Sequence, residues 1–299
     1  MNLPTSVGRV VSSHGRHYGV ELADGQTRLC YPKGKRNEAT VGDWVDVTQE
    51  GSNEGVLQKI HARKNLLYRS DEWRSKLFAA NVDQVVVVVA VTPKFSEDLL
   101  GRALTGAWAA GVEPLIVLNK IDLVDGLAQA RQRLDGYRTL GVTILELSAH
   151  DTTQIHEVLL PHLNKKTSLL LGQSAMGKST LLNTLVPEAR AATQEHSQAL
   201  GAGKHTTTLT RLYHLPNGDG HLIDSPGVQA FGLAHLTGEE VVAGFPEFTP
   251  HRVHCRFYNC THQHEPNCGV LAALSRGEIE PGRHALYQRL LLEKASAKI

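Results

Sequence analysis

The chain lacks the features that would place it outside an ordinary globular fold. It has only four cysteines in 299 residues, Cys30, Cys255, Cys260 and Cys268. That is too sparse for a secreted disulfide scaffold. It has no long apolar run: the longest uninterrupted stretch is 85–91, against the roughly 18–20 residues a membrane span requires. The opening MNLPTSVGRV carries no apolar core of a signal peptide, so a cytoplasmic location and no membrane partner are expected. Neither charge is in excess, with Lys+Arg 31, Asp+Glu 30 and a formal net charge of +1. This balance excludes a uniformly basic nucleic-acid binder and still allows a local basic face. Hydrophobic residues at 41% and charged residues at 20% argue against global disorder. No internal repeat or low-complexity tract is visible, no dimer seam stands out and a monomer is expected. The length predicts two or three domains at roughly 100–200 residues each.

The first 60 or so residues read as short strands, at 7–11, 18–22, 27–31, 44–48 and 56–60. Turn signals at His14-Gly15, Asp24-Gly25, Gly34, Gly42-Asp43 and 53–55 separate them. Five strands so spaced predict a small barrel, with the OB-fold as the natural candidate and an SH3-like barrel as the alternative. From about Asp83 the texture changes. The β-branched run 85–91 suits a strand buried on both faces of a parallel sheet. Helices at 96–110, 126–140, 155–163 and 178–185 alternate with strands at 115–118, 143–147 and 168–171, as in a doubly wound α/β domain. Ser96 is the expected cap of the first helix, with Glu97 and Asp98 in its first turn. After about Thr237 the pattern changes again: 245–270 is rich in Pro, His, Cys and Asn, and a terminal helix begins near Pro281. The expected division is 1–68, 69–236 and 237–299.

Gly172-Gln173-Ser174-Ala175-Met176-Gly177-Lys178-Ser179 fits the phosphate-loop pattern G-x-x-x-x-G-K-[ST], between a strand and a helix that continues through Thr180. The glycines allow a tight wrap whose N–H groups face phosphate oxygens. Lys178 would pair with the β- and γ-phosphates and Ser179 would ligate Mg²⁺. The helix N-terminus adds favourable partial charge.

Two further segments point to guanine, and a third to a nucleotide switch. Asn119-Lys120-Ile121-Asp122 follows a strand and fits N-K-x-D. Asp122 would read the guanine N1–H and exocyclic amine, Asn119 its N7 and O6, and the stem of Lys120 would cover the base plane. Ser148-Ala149 follows another strand and matches the loop whose N–H contacts the guanine O6. Asp224-Ser225-Pro226-Gly227 fits D-x-x-G: Asp224 would hold Mg²⁺ through water and the Gly227 N–H would sense the γ-phosphate. Between them, 201–208 with Thr206, Thr207 and Thr208 reads as a switch loop that γ-phosphate and Mg²⁺ would order. Thr207 is the preferred Mg²⁺ ligand. Val228 stands where Ras-like enzymes carry a water-orienting Gln, so another residue must orient the attacking water. His205 is the candidate, with Gln229 behind it.

The order of these motifs is inverted. N-K-x-D and Ser148-Ala149 precede the phosphate loop, and the switches follow it. The same sheet can be built by joining old termini and opening a new break, a circular permutation. The second switch then leads straight into the C-terminal segment, where Cys255, Cys260, His262 and Cys268 supply three thiolates and an imidazole. Four such ligands with no open position describe a structural Zn²⁺ site, one per chain. His254 and His264 are surplus to it, and Cys30 reads as a small buried hydrophobe.

Together these residues resemble the RsgA (YjeQ) family of bacterial ribosome small-subunit-dependent GTPases, over essentially the whole chain. The resemblance implies an N-terminal OB-fold barrel, a central circularly permuted α/β P-loop GTPase and a C-terminal α-rich zinc-binding domain. It implies GTP hydrolysis to GDP and phosphate with Mg²⁺, stimulated by the small ribosomal subunit, and a role in that subunit's late maturation. It assigns His205 to hydrolysis. The family loop usually reads G-x-S-G-V-G-K-S, and Ala175-Met176 depart from it. An alanine there is tolerable if its φ is negative. The family's basic N-terminal extension is nearly absent, and 71–77 differs from the usual stretch. Ribosomal RNA binding needs phosphate neutralisation. The candidates are Lys59, His61, Arg63, Lys64, Arg69, Arg74 and Lys76, and then His251, Arg252, His254 and Arg256 with Phe257 and Tyr258. The competing readings are a nucleotide-gated RNA-binding module, a GTPase with a different RNA client, and an ATP-dependent kinase. The last leaves Asp122 and the cysteine cluster unexplained.

Overall fold

The structure is a computed structural model, describing residues 5–15, 17–34, 38–51, 53–70, 75–189, 210–216, 218–224, 233 and 235–296. The N-terminal strands are β1 (Thr5–His14), β2 (His17–Leu22), β3 (Thr27–Pro32), β4 (Trp44–Glu50) and β5 (Glu54–Ile60). They pair in the order β1-β2-β3-β5-β4, and β4 returns to β1. The barrel is therefore closed. β3 and β5 run parallel while the other pairs are antiparallel, and this order is the OB arrangement. A bulge between Val10 and Ser12 lets the long β1 serve both neighbours. The barrel has its own core, including Val10, Tyr18, Val20, Cys30, Val45, Val47 and Leu57.

A hairpin follows, β6 (Leu66–Ser70) with β7 (Ser75–Ala80), which the sequence did not suggest. The central sheet comprises β8 (Gln84–Ala90), β9 (Glu113–Asn119), β10 (Thr143–Leu147), β11 (Thr167–Gly172), β12 (Thr210–His214) and β13 (His221–Asp224). Its order is β10-β9-β8-β11-β13-β12, parallel except for β12. Every residue of β8 is buried, as the valine run requires. Two pairs, Ser12↔Arg211 and Ser13↔Thr210, join β1 to β12 and make the barrel continuous with the sheet.

Helix α1 (Glu97–Ala109) starts at Ser96, whose hydroxyl accepts from the Leu99 N–H. Helix α2 (Leu127–Thr139) follows β9. The expected helix at 155–163 begins earlier and is pieced together from Thr152–Gln154, a π turn at Ile155–Leu159, and Leu160–Leu163. Helix α3 (Lys178–Leu185) matches its expected bounds. Beyond the sheet come α4 (Gly238–Ala243), held by a Thr237/Glu240 capping box, α5 (Gly269–Ser275) and α6 (Pro281–Ser296). Phe245, Phe248, Leu286, Tyr287 and Leu290 lie in the same apolar core as β8, β9 and α1. The C-terminal segment thus shares the central core. Among the described residues no helix is long and apolar enough to cross a membrane.

Candidate nucleotide pocket and metal centre

Strands β9, β10, β11 and β13 all end at the same carboxyl edge of the parallel sheet, where open α/β sheets bind ligands. Asn119 ends β9 and is buried. Its Nδ2 donates to the Met176 carbonyl of the phosphate loop at 2.8 Å. Its Oδ1 accepts from the Ala149 N–H at 2.8 Å and from the Lys120 N–H at 2.8 Å. One buried amide thus joins N-K-x-D, the Ser148-Ala149 loop and the phosphate loop. One Nδ2 proton remains for a base. The Ala149 N–H, expected to face the guanine O6, is given to Asn119. Thr184 of α3 reaches the Ala149 carbonyl at 3.3 Å, and Gln154 accepts from the Ser148 N–H at 2.9 Å. Neither support was foreseen.

Lys120 stretches across the loop and donates to Thr92 O and Ala175 O, each at 2.8 Å. Asp122 is exposed and accepts from the Ser148 hydroxyl, which is the first cause holding its carboxyl below the usual range. It stands ionised, an acceptor-only group able to take two N–H donors. Gly177 caps α3 at φ 89°. A Cβ there would lie 2.1 Å from Asn119 Nδ2, so glycine is needed both for the backbone and for the Asn119 tie. Gly172 packs against the Val88 carbonyl, which a Cβ would approach to 2.8 Å.

Ala175 has φ 66°. The condition under which an alanine would sit easily in place of glycine is not met. The loop takes a left-handed turn at this residue, with a side chain that disfavours it. Met176, the other departure, is buried in the core. Gln173 turns back and accepts from the Ser96 N–H at 2.6 Å. Ser174 and Ser179 are exposed and Thr180 half-buried. Lys178 and Asp224 form an ion pair, so the expected phosphate amine and the expected Mg²⁺ carboxylate meet at one place. His205, Thr207, Gly227, Val228 and Gln229 lie outside the described residues.

The ligand atoms of Cys255, Cys260, His262 and Cys268 all lie within 4.8 Å of one another. His262 Nδ1 is 3.6 Å from Cys255 Sγ and 3.5 Å from Cys268 Sγ. Burial, reinforced by the neighbouring thiols, pushes the Cys260 thiol up to about 12, and burial lowers His262. A divalent cation reverses that preference for neutral thiols, because thiolate is the metal-binding form. The outer contacts hold the cluster in place: His284 Nε2 meets the His262 carbonyl and the Tyr287 hydroxyl donates to the Thr261 carbonyl, both at 2.8 Å. Cys30 is buried in the barrel.

The two basic groups fare differently. In the first, Arg63 is bonded to buried Asp43, Lys64 to Asp83 and His61 to Asp46. Carboxylates some twenty positions away in sequence thus pair with Arg63 and Lys64. Lys59 and Lys76 are exposed; Arg74 and the side chain of Arg69 lie outside the described residues. In the second group, Arg252, His254, Arg256, Phe257 and Tyr258 are all exposed, and Arg256 stands 5.5 Å over the Phe257 ring.

Comparison with known proteins agrees with this fold. The family model described as RsgA GTPase matches residues 60–234. A Bordetella pertussis protein named small ribosomal subunit biogenesis GTPase RsgA is 62% identical over 291 residues, covering 97% of each chain. The crystal structure of YjeQ from Thermotoga maritima is 31% identical with a TM-score of 0.75, over 98% of this chain and 99% of that one. YloQ, described as a circularly permuted GTPase, is 26% identical with a TM-score of 0.71, over 99% of this chain and 97% of the other. With its barrel, inverted motif order and cysteine cluster, the chain belongs to the RsgA GTPase family.

Proposed function

We propose that this GTPase binds the small ribosomal subunit, acts late in its maturation, and hydrolyses GTP in the pocket that Asn119 assembles. The observation that carries the reading is that amide: a single side chain ties the base-reading loops to the phosphate loop although Met176 and Asn119 are far apart in sequence. The named relatives supply the ribosomal context.

Asp122 and Asn119 select guanine, and Lys120 covers the base while bracing Ala175. The N–H groups of Gly172, Gln173, Ser174, Ala175, Met176, Gly177, Lys178, Ser179 and Thr180 enclose the phosphates, and the Lys178 amine neutralises them. Ser179, Thr207 and Asp224 would hold Mg²⁺. Mg²⁺ offsets charge on the transferring phosphoryl group. His205 orients the water that attacks the γ-phosphorus, the bond to the β-phosphate oxygen breaks, and the Gly227 N–H reports the γ-phosphate. Cys255, Cys260, His262 and Cys268 would hold Zn²⁺, which would staple the C-terminal segment. Arg252, Arg256, Phe257 and Tyr258 present charge and rings to ribosomal RNA. Functionally the chain divides at 1–68, 69–236 and 237–299, and it works in the cytoplasm as a monomer.

The test is GTP turnover titrated with purified small subunits. A rise that saturates with subunit concentration and steepens at low salt is expected. A flat response would remove the ribosomal role, and stimulation by another RNA alone would favour a different client.

A further inference from the structure

The phosphate loop has a second attachment that lies outside the nucleotide motifs. Gln173 Oε1 accepts the N–H of Ser96, at the start of α1. Helix α1 in turn carries the C-terminal helix. Arg102 donates to Asp98 at 2.7 Å and to both oxygens of Glu293 at 2.8 and 2.5 Å. Arg289 reaches the other Asp98 oxygen at 2.6 Å. Buried Arg283 holds Glu247 and reaches Thr105 of α1. Gly101 allows the closest approach, since a Cβ there would sit 2.6 Å from Leu286. The opposite side of α6 touches the metal cluster through His284 and Tyr287. An unbroken set of bonded contacts therefore runs from the cysteine cluster through α6 and α1 to the phosphate loop.

We propose that Gln173 is a positioning residue: it fastens the phosphate loop to α1, and through it the seating of the C-terminal helix sets how firmly nucleotide is held. The proposal rests on the reading of this pocket as the nucleotide site. Gln173 is suited to the role because its acceptor lies on a side chain. The loop N–H groups stay directed at the phosphates while Oε1 satisfies a helix-terminal N–H that would otherwise need water. Coupling of this kind is reciprocal: whatever loosens α6 on α1 weakens nucleotide binding, and bound nucleotide tightens α6.

The experiment follows dissociation of a fluorescent GDP analogue from the full chain, with KM and kcat for GTP and with metal content verified. Losing one such hydrogen bond corresponds to a roughly two- to tenfold change. Gln173→Ala and Ser96→Pro each remove one partner, the latter at a φ of −81° that proline accepts. Each is expected to speed GDP release by that factor and raise KM with kcat unchanged. Combined, they should do no more than the larger single effect. Ser96→Ala removes the helix cap but keeps the N–H. It is expected to lower Tm and leave GDP release alone. Arg102→Leu, remote from the pocket, should speed release roughly two- to threefold, and do nothing further in the Q173A background. A wild-type chain that binds no guanine nucleotide overturns both the pocket reading and this inference. Tight wild-type binding overturns the inference alone under any of three results: an unaltered Q173A, a Ser96→Ala as fast as Ser96→Pro, or an Arg102 effect undiminished in the Q173A background.

Discussion

Replacing Ala175 by glycine should make the protein more stable or make it hold GDP longer, according to when the loop is strained. Ala175 sits at φ 66°, and a non-glycine residue in the left-handed region costs about 1–2 kcal/mol. Glycine removes that cost but adds freedom to the unfolded chain, which subtracts about 0.4–1 kcal/mol. The net gain is about 0.5–1 kcal/mol, or roughly 1–3 °C in Tm. The Ala175 carbonyl is fixed by the Lys120 amine, so the peptide keeps its orientation when the side chain goes. Two assays locate the strain. If the loop holds this shape throughout, the gain appears in thermal unfolding. If it relaxes on nucleotide release, the same energy appears as GDP binding up to about fivefold tighter. Ala175→Val should move both readouts the other way, since a β-branched residue fits φ above zero worse still. A variant A175G that melts earlier and releases GDP faster would refute a left-handed residue at 175, and with it the strain assigned to the loop.

Gly177→Ala should cost about 2–4 kcal/mol, combining the left-handed penalty with loss of the Asn119 bond to Met176; binding titrations should show GDP affinity down at least tenfold, and a variant that binds normally excludes the clash. Asp122→Asn should favour xanthosine over guanosine nucleotides in competition binding, because the substituted amide presents a donor where the carboxylate accepted; an unaltered preference takes Asp122 out of base reading. Chelation or Cys255→Ala should release one zinc per chain by elemental analysis and expose the C-terminal segment to protease, and full resistance without metal would show that the cluster is not a staple. Leu286→Ala should cost about 2–4 kcal/mol and Gly101→Ala about 1 kcal/mol, yet the pair should cost less than their sum, since the added methyl fills space that Leu286 vacates. Strict additivity in chemical denaturation argues that α1 and α6 do not meet there.

The parts of this molecule that were legible in the sequence are those fixed by local chemistry. The valine run of β8 announces a strand buried on both faces. Barrel strands are bounded by glycine turns and land within a few residues of expectation. The phosphate loop, N-K-x-D and the cysteine cluster are recognisable because their chemistry demands fixed spacing. What escaped depends on partners distant in sequence. The hairpin β6–β7 is built from Leu66–Ser70 and Ser75–Ala80, short segments that become strands against each other. Strand β12 is five residues long and exists because β13 and β1 flank it. Arg63 and Lys64 read as free cations until folding brings Asp43 and Asp83 beside them. The Gln173–Ser96 tether crosses 77 positions and leaves no local signal. Ala175 stood out as a departure from glycine, but the sign of its φ was not legible, because the loop around it imposes that angle.

The permuted order places both flanking parts against the ends of the segments read as switches, but they are attached by different forces. The C-terminal segment enters the large core directly after the second of these, with Leu233 and Leu236 buried, followed by Phe245, Phe248 and Tyr287. Separating it means exposing several large apolar side chains at about 1.5–3 kcal/mol each. The barrel places Val11 and Val41 in that large core too, and its ties to the sheet strands are otherwise polar. These are two ladder pairs at Ser12 and Ser13, the Arg9–Thr167 bond at 2.7 Å and the half-exposed His214–Glu21 pair. An exposed pair of that kind is worth under about 1 kcal/mol. The junction also carries a cost: Arg9 Nε and His221 Nδ1 are buried with no hydrogen-bond partner among the described residues, and burial drives His221 down to about 4, keeping it neutral. Unpaired groups like these each cost about 1–3 kcal/mol. The barrel's attachment therefore buries fewer large apolar side chains than the C-terminal segment's. Since β12 begins at Thr210, which pairs with Ser13 of β1, a shift of the barrel is felt first at the start of that strand.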